Sequence, residues 1–410
     1  MTTDFLFKDR NVWNTPYTRE SKNGSCQHGF AKSGAELQGW AFGILLNIIV
    51  NLSIRISKSP PSASPKPLYV ILKKTKEMKF IIIILTVLFP FISKGQTEFL
   101  DQIKIYKIND PKLKEIEFCV FKKDIDKKKP LLLFLGGSGL EPTFKFNNSD
   151  KQVYYTGFYR FTKYQDKYHI VFINKAGIPL YDTVQNSNEH YKASKFAEEN
   201  NTMEWRSESA SKAIDYLVRV LQVDTSNVVV VGHSQGGQVA PKVAVLNKKV
   251  TKVVMMSSNS LDHIYDRILL ARQQALNNQM SYEEAQYVVD SLLNVQREIY
   301  KSPNSVTQTF WEEPFNKWYS YSKETPLENM LKLNIPIMLI ASGRDVEGSY
   351  IANTDYAALE FIRKGKQNLT YKVYPNCDHI YSETKRKFGE EIGLGFKANT
   401  VIDDIFKWLE

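Results

Sequence analysis

Short apolar runs alternate with longer amphipathic stretches along the chain from Glu98 onward. Most runs are apolar at every position rather than at alternate positions, which is typical of parallel strands covered on both faces. Residues 202–222 carry apolar side chains at helical spacing, and similar stretches separate the other runs. The pattern predicts an α/β fold with a mostly parallel central sheet and helices on both faces. The predicted strands, which begin with an antiparallel pair, are 99–108, 115–122, 130–135, 168–173, 227–232, 250–256, 336–341 and 369–374.

A long insertion separates two of the predicted strands. About 75 residues lie between Ser258 and Ile335, where a single helix would be enough to connect the strands. This segment has two stretches of helical periodicity and a concentration of aromatic residues toward its end. We therefore predict a helical cap over about residues 259–333. Trp311 and Trp318 are the candidates for lining a substrate pocket, and the alternative is that the aromatic residues only hold the cap against the sheet.

The first 95 residues have the pattern of a leader. Four lysines precede an apolar run at residues 80–92, and small residues follow it. This order resembles a secretory signal peptide over residues 78–95, which predicts a periplasmic or secreted protein after cleavage near Gly95. Residues 1–77 are irregular, and we interpret them as an upstream extension outside the native protein. The alternative is a membrane-anchored form that retains an apolar N-terminal segment.

Charge and cysteine content argue against several classes of protein. The formal net charge is +10, but 13 Lys and Arg against 5 Asp and Glu fall in residues 1–95, which therefore carry +8 of it. The rest of the chain has no basic stripe with interleaved aromatics, so nucleic acid is not an expected partner. The three cysteines form no C-x-x-C pair, and neither a metal nor a cofactor is expected. A disulfide between Cys119 and Cys377 is an alternative in an oxidising compartment.

The clearest chemical signal is a serine in a glycine-rich turn. Residues 232–237 have the sequence Gly-His-Ser-Gln-Gly-Gly, directly after four valines and before a stretch compatible with a helix. A sharp turn from strand to helix needs small residues at Gly232 and Gly236, and it projects the serine hydroxyl above the sheet. These features predict that Ser234 is a nucleophile. The alternative is an ordinary glycine-rich turn.

A serine nucleophile needs a base and a residue that orients the base. In the chain order serine, acid, histidine, the base must follow Ser234. His379 is the histidine that lies beyond the predicted cap, in a loop after the last strand. Asp345 follows the preceding strand, where it would accept a hydrogen bond from the imidazole and fix its tautomer. Glu347 and Asp262 are the alternatives for the acid.

An oxyanion formed during acyl transfer requires hydrogen-bond donors that are already in place. The backbone N–H of Gln235, next to the predicted nucleophile, would supply one. The N–H of Ser138, in the Gly-Gly-Ser-Gly loop after the strand at residues 130–135, would supply the second. A glycine-rich loop also suits a phosphate group, but no Lys-Ser, Lys-Thr or G-x-G-x-x-G is present there, so nucleotide binding is not expected.

With these motifs in this order, the chain from about Glu98 onward resembles the α/β-hydrolase superfamily. Residues 135–139, 232–236, 343–345 and 378–379 look most like those of bacterial exported esterases related to the dienelactone-hydrolase and prolyl-oligopeptidase catalytic domains. The resemblance implies a serine hydrolase that cleaves a small carboxylic ester through an acyl-enzyme and needs no cofactor. A peptidase or a thioesterase would use the same residues. A binding protein that has lost the reaction would keep the same fold.

Overall fold

The structure, a computed structural model, describes residues 99–155, 158–185, 189, 191–346, 351–387 and 390–410. The chain divides into two units, Met1–Ile83 and Ile84–Glu410, and all described residues lie in the second. The predicted upstream extension and signal peptide therefore lie outside the described residues and stay predictions. Within the described ranges, no helix has the length and apolarity needed to cross a bilayer.

The described residues form a large sheet, three small ones and flanking helices. The strands are β1 (Ile103–Asp110), β2 (Lys114–Phe121), β3 (Lys129–Leu135), β4 (Phe144–Asn147), β5 (Gln152–Tyr155), β6 (His169–Ile173), β7 (Tyr181–Val184), β8 (Val223–His233), β9 (Lys252–Met256), β10 (Thr309–Phe310), β11 (Glu313–Pro314), β12 (Ile337–Ser342), β13 (Leu369–Tyr374), β14 (Ser382–Lys387) and β15 (Glu390–Phe396). The α-helices are α1 (Lys195–Asn200), α2 (Met203–Val220), α3 (Gln235–Leu246), α4 (His263–Leu276), α5 (Tyr282–Lys301), α6 (Phe315–Ser322), α7 (Pro326–Leu331), α8 (Ile351–Arg363) and α9 (Ala398–Leu409).

The main sheet has eight strands in the order β1-β2-β6-β3-β8-β9-β12-β13. The pairs β1 with β2 and β2 with β6 are antiparallel, and the remaining neighbours are parallel. The prediction of a mostly parallel α/β sheet is confirmed. Because parallel strands end at the same edge of a sheet, the loops after β3, β8, β12 and β13 meet there.

Two hydrophobic cores, one on each face of the sheet, explain why the central strands are apolar at nearly every position. In β3, Leu131 and Leu133 belong to one core, whereas Leu132 and Phe134 belong to the other. The first core includes side chains from α2, α3, α7 and α8, and the second includes side chains from α9. Alternate residues of a strand point to opposite faces, so burial of both faces leaves no polar position.

The segment between β9 and β12 contains α4, α5, α6 and α7. The first three share a small core of their own, which includes Val288, Phe310 and Phe315. In contrast, Leu327 and Met330 of α7 pack into the main core. The helices α4 and α5 therefore form a separate layer, α6 joins this layer to the main core through Tyr321, and α7 belongs to the body of the domain.

Three small β structures have no counterpart in the predicted elements, and one of them is the pair of two-residue strands β10 and β11. The strands β14 and β15 form an antiparallel hairpin, and β5, β4 and β7 form a sheet of three short strands. The sequence of β14 is Ser-Glu-Thr-Lys-Arg-Lys, which has no apolar alternation that could indicate a strand. The short strands β4, β5 and β7 have four residues each, too few for a periodicity to be recognised.

Candidate active site

Ser234 lies at a sharp turn between β8 and α3. Its backbone has φ 55° and ψ −127°, a strained conformation for a residue with a side chain. A Cβ at Gly232 would lie 2.1 Å from the carbonyl oxygen of Gly236, and a Cβ at Gly236 would lie 2.1 Å from that of Leu135. The N–H of Ser234 donates to the Met256 carbonyl at 2.9 Å. The turn has the geometry of a nucleophile elbow, and only glycine fits at its two flanking positions.

His379 and Asp345 form a hydrogen-bonded pair. Nδ1 of His379 lies 2.6 Å from Oδ2 of Asp345, whose side chain is fully buried. A carboxylate accepts hydrogen bonds and does not donate them, so Nδ1 carries the proton and Nε2 is the basic nitrogen. Asp345 follows β12 in a turn closed by its N–H on the Ser342 carbonyl. His379 lies in the loop after β13, where the Asp378 carboxylate accepts bonds from the backbone.

A cavity of about 360 Å³ joins the predicted catalytic groups. Ser234, His379, Ser138 and Gln235 all line it. Gln235 is the first residue of α3, so its N–H has no acceptor within the helix. The loop after β3 lies against the nucleophile, since a Cβ at Gly137 would be 3.4 Å from the Cβ of Ser234. The structure thus brings together the predicted nucleophile, the predicted base and both predicted donors.

Trp311 and Trp318, the predicted pocket residues, line the same cavity from the cap. The indole N–H of Trp318 donates to the Phe310 carbonyl at 2.9 Å, and its ring stacks on that of His263. Burial lowers the pKa of His263 to about 3, so this ring is neutral at pH 7. The two tryptophans are therefore held by the cap while they face the cavity.

Charged residues of the cap also line the cavity, and sequence reasoning missed them. Lys317 is 5 % exposed and its Nζ lies 2.5 Å from Oε1 of Glu313. Burial lowers the pKa of Lys317, and the glutamate opposes this shift. The guanidinium of Arg267 lies over the Trp311 ring, 5.5 Å from its centre. Glu313 lies in β11 and Lys317 in α6, so no helical spacing in the sequence indicates this ion pair.

His233 supports the loop that carries the predicted base. Its Nε2 lies 3.0 Å from the backbone carbonyl of His379, which can only accept, so His233 donates. Burial lowers the pKa of His233 to about 3, and its ring packs against Phe158. Sequence reasoning set this residue aside because it precedes the nucleophile. Its role depends on a contact across 146 residues, which no local pattern indicates.

Asp262 and Glu347 were the predicted alternatives to Asp345 as the acid. Asp262 caps α4 by accepting a bond from the Ile264 N–H at 2.6 Å, and it accepts another from Gln296 at 3.1 Å. It lines the cavity, but it is Asp345 that contacts the imidazole of His379. Glu347 lies outside the described residues.

Cys119 and Cys377 are both free and buried, so the alternative of a disulfide between them is not realised. Burial raises the pKa of the Cys119 thiol to about 12 and that of Cys377 to about 11, which leaves both protonated at pH 7. In the part of the chain that the structure describes, no group of three or more His, Cys, Asp or Glu side chains could hold a metal ion.

Comparison with known proteins gives partial matches. Residues 208–382, less than half of the chain, match the family described as BAAT / Acyl-CoA thioester hydrolase C terminal. Esterase EstD of Thermotoga maritima is 25% identical over 191 residues, which are 45% of this chain and 43% of that esterase. The chain thus spans less than half the length of this curated relative.

Similar solved structures include two peptidases. A puromycin-hydrolyzing peptidase of Mycobacterium tuberculosis has a TM-score of 0.45 and 14% identity, over 75% of this chain and 39% of that one. An acylaminoacyl peptidase of Pyrococcus horikoshii has a TM-score of 0.45 and 14% identity, over 68% of this chain and 37% of that one.

The strand order and the elbow together define the fold. The chain has the α/β-hydrolase fold. Its sequence is similar to serine hydrolases of that fold, namely a family of acyl-CoA thioester hydrolases and an esterase.

Proposed function

We propose that the chain hydrolyses carboxylic esters through an acyl-enzyme formed on Ser234. The observation that carries the proposal is the His379–Asp345 pair at 2.6 Å beside a cavity that also holds a serine at a strained elbow. The volume of this cavity, about 360 Å³, falls within the range of small-molecule sites, which favours a small substrate.

The reaction follows from the protonation states. Nε2 of His379 removes the proton from the hydroxyl of Ser234, which attacks the acyl carbon. The buried carboxylate of Asp345 stabilises the imidazolium that forms. The carbonyl oxygen becomes an oxyanion, which accepts bonds from the N–H groups of Gln235 and Ser138. The imidazolium then protonates the leaving alcohol, and water repeats the sequence to release the acid.

A thioesterase is the second candidate. It would use the same residues with a thiolate as the leaving group, and the family matched at residues 208–382 is described as an acyl-CoA thioester hydrolase. The relative named as an esterase supports ester cleavage. Peptide cleavage would require protonation of a poorer leaving group, an amine, by the same His379.

A fluorophosphonate probe and a substrate panel test the proposal. The purified protein should be labelled on Ser234 and should cleave p-nitrophenyl esters faster than aminoacyl amides and acyl thioesters. Ser234→Ala should lose labelling and at least about a thousandfold in kcat, because a triad member is gone. An unchanged melting temperature would show that the variant is folded. Retention of most activity in Ser234→Ala would contradict the nucleophile, and faster cleavage of thioesters would favour the second candidate.

A further inference from the structure

Arg206 of α2 is a buried cation beside the candidate active site. It is 4 % exposed, and its guanidinium contacts three neutral oxygens. Nη2 donates to the Gly136 carbonyl at 2.5 Å, and Nη1 donates to Oε1 of Gln235 at 3.1 Å and to the Tyr321 hydroxyl at 3.4 Å. Among the described residues, no carboxylate forms a salt bridge with it. A buried cation without a counter-ion is costly to stability.

We propose that Arg206 is a positioning residue that holds both halves of the oxyanion hole in place. One half is the loop that begins at Gly136 and carries the N–H of Ser138. The other half is the N–H of Gln235, whose side chain Arg206 binds. One planar guanidinium thus spans the two segments that must be in register for both donors to reach one oxygen. This inference rests on the proposed function.

The Gly136 carbonyl is fixed from two sides. A Cβ at Gly236 would lie 2.6 Å from this oxygen, so the backbone of the elbow packs directly against it. The guanidinium of Arg206 donates a hydrogen bond to the same oxygen. In a trans peptide the C=O and the following N–H point in opposite directions, so fixing this carbonyl fixes the direction of the Gly137 N–H. The start of the loop therefore has one orientation relative to Ser234.

A cation on a carbonyl also polarises the peptide group. Electron density drawn toward the Gly136 oxygen leaves the N–H of the same peptide group, that of Gly137, more positive. This N–H directly precedes that of Ser138 in the loop. At the other end of the loop, Nζ of Lys175 donates to the Gly139 carbonyl at 2.6 Å, and burial lowers the pKa of this lysine. Arg206 therefore supplies the fixed charge, and the loop at residues 136–139 is held at both ends through its carbonyl oxygens.

Three variants test the inference. Arg206→Met removes the donors but keeps much of the side-chain volume, and Arg206→Lys keeps one donor and the charge. Lys242→Met is the matched control, since Lys242 is a partly buried cation on α3 that pairs with Glu324 instead of the loop. For each protein we would measure kcat and KM on an ester, the affinity for a trifluoromethyl ketone that forms a tetrahedral oxyanion, and the melting temperature.

We expect Arg206→Met to lower kcat at least about tenfold, but by less than the ~10²–10³-fold that loss of a donor itself costs. KM should stay within about twofold, the affinity for the ketone should fall by the same factor as kcat, and Arg206→Lys should be intermediate. Lys242→Met should keep wild-type kcat.

Unchanged kcat in a folded Arg206→Met protein would overturn the inference, as would a loss of kcat without loss of ketone affinity. If Arg206→Met does not fold, Arg206→Lys decides by the same comparison of kcat with ketone affinity. A wild-type protein that neither cleaves an ester nor binds the ketone would overturn the proposed function together with this inference.

Discussion

The two walls of the cavity are built in different ways. On the sheet side, short turns and loops at the ends of strands determine where the groups lie: close backbone contacts fix Ser234, and a hydrogen bond to the buried Asp345 fixes His379. On the cap side, long side chains of helices with their own small core form the wall. Trp311 there is 37 % exposed. This contrast suggests that chemistry depends on the sheet wall and substrate preference on the cap wall, so mutations in the two walls should differ in kind.

The largest effect is expected for Asp345→Asn. The amide would offer an N–H to Nδ1 of His379, which stabilises the tautomer with the proton on Nε2 and removes the base. We expect kcat to fall by about 10⁴-fold at neutral pH with little change in fold. Steady-state kinetics together with near-UV circular dichroism would check this. A fall of less than tenfold would mean that another residue, such as Asp262 or Glu347, orients the base.

The glycine contacts of the elbow should be nearly as sensitive. In Gly236→Ala the new Cβ would lie 2.1 Å from the Leu135 carbonyl oxygen, so the backbone must move by about 1 Å. A shift of that size at a reacting group costs about 10²-fold in rate. Gly393→Ala is the control, because a Cβ there meets nothing within 4 Å. Equal activity in the two variants would show that the elbow tolerates movement and would weaken the contrast between the walls.

Sequence was informative for one wall and much less so for the other. The strands of the main sheet could be predicted because burial on both faces requires runs of apolar residues. The turn at Ser234 could be predicted because the close approach of its backbone requires glycines. The contacts of Arg206 and His233 could not, since each joins segments that are distant in the chain. The ion pair of the cap depends on how α6 is oriented, and periodicity does not specify that orientation.

His233, which lies behind the sheet wall, should make the stability of the folded protein depend on pH. Its pKa is lowered to about 3 by burial, whereas a histidine in the unfolded chain titrates near 6.5. Between these values the unfolded state binds a proton that the folded state does not. The contribution of His233 to the free energy of unfolding is therefore fully present above pH 6.5. It decreases as the pH falls toward 3, by about 1.4 kcal/mol per pH unit.

His233→Gln tests this linkage, since its amide can still donate to the His379 carbonyl. Between pH 4 and 6 the free energy of unfolding should depend on pH less steeply in the variant, by about 1.4 kcal/mol per unit. Urea unfolding at several pH values would measure the slopes. Asp266, whose pKa burial raises to about 7, acts in the opposite direction in both proteins and cancels in the comparison. Identical slopes would mean that His233 titrates normally in the folded state.

The smallest and most selective effects are expected in the cap wall, from Trp311→Ala and Trp318→Ala. The two indole rings form the apolar part of a wall that also carries charged residues. A mismatch against an apolar wall costs about 1–3 kcal/mol per methylene, so enlarging the cavity there should favour longer acyl chains. We expect the ratio of kcat/KM for long against short esters to rise up to about tenfold, while fluorophosphonate labelling of Ser234 persists. Tyr287→Ala removes an exposed aromatic side chain of α5 that does not line the cavity, and it should leave the ratio unchanged. An equal loss on every ester, or a lower melting temperature with an unchanged ratio, would mean that the two tryptophans only hold the cap together.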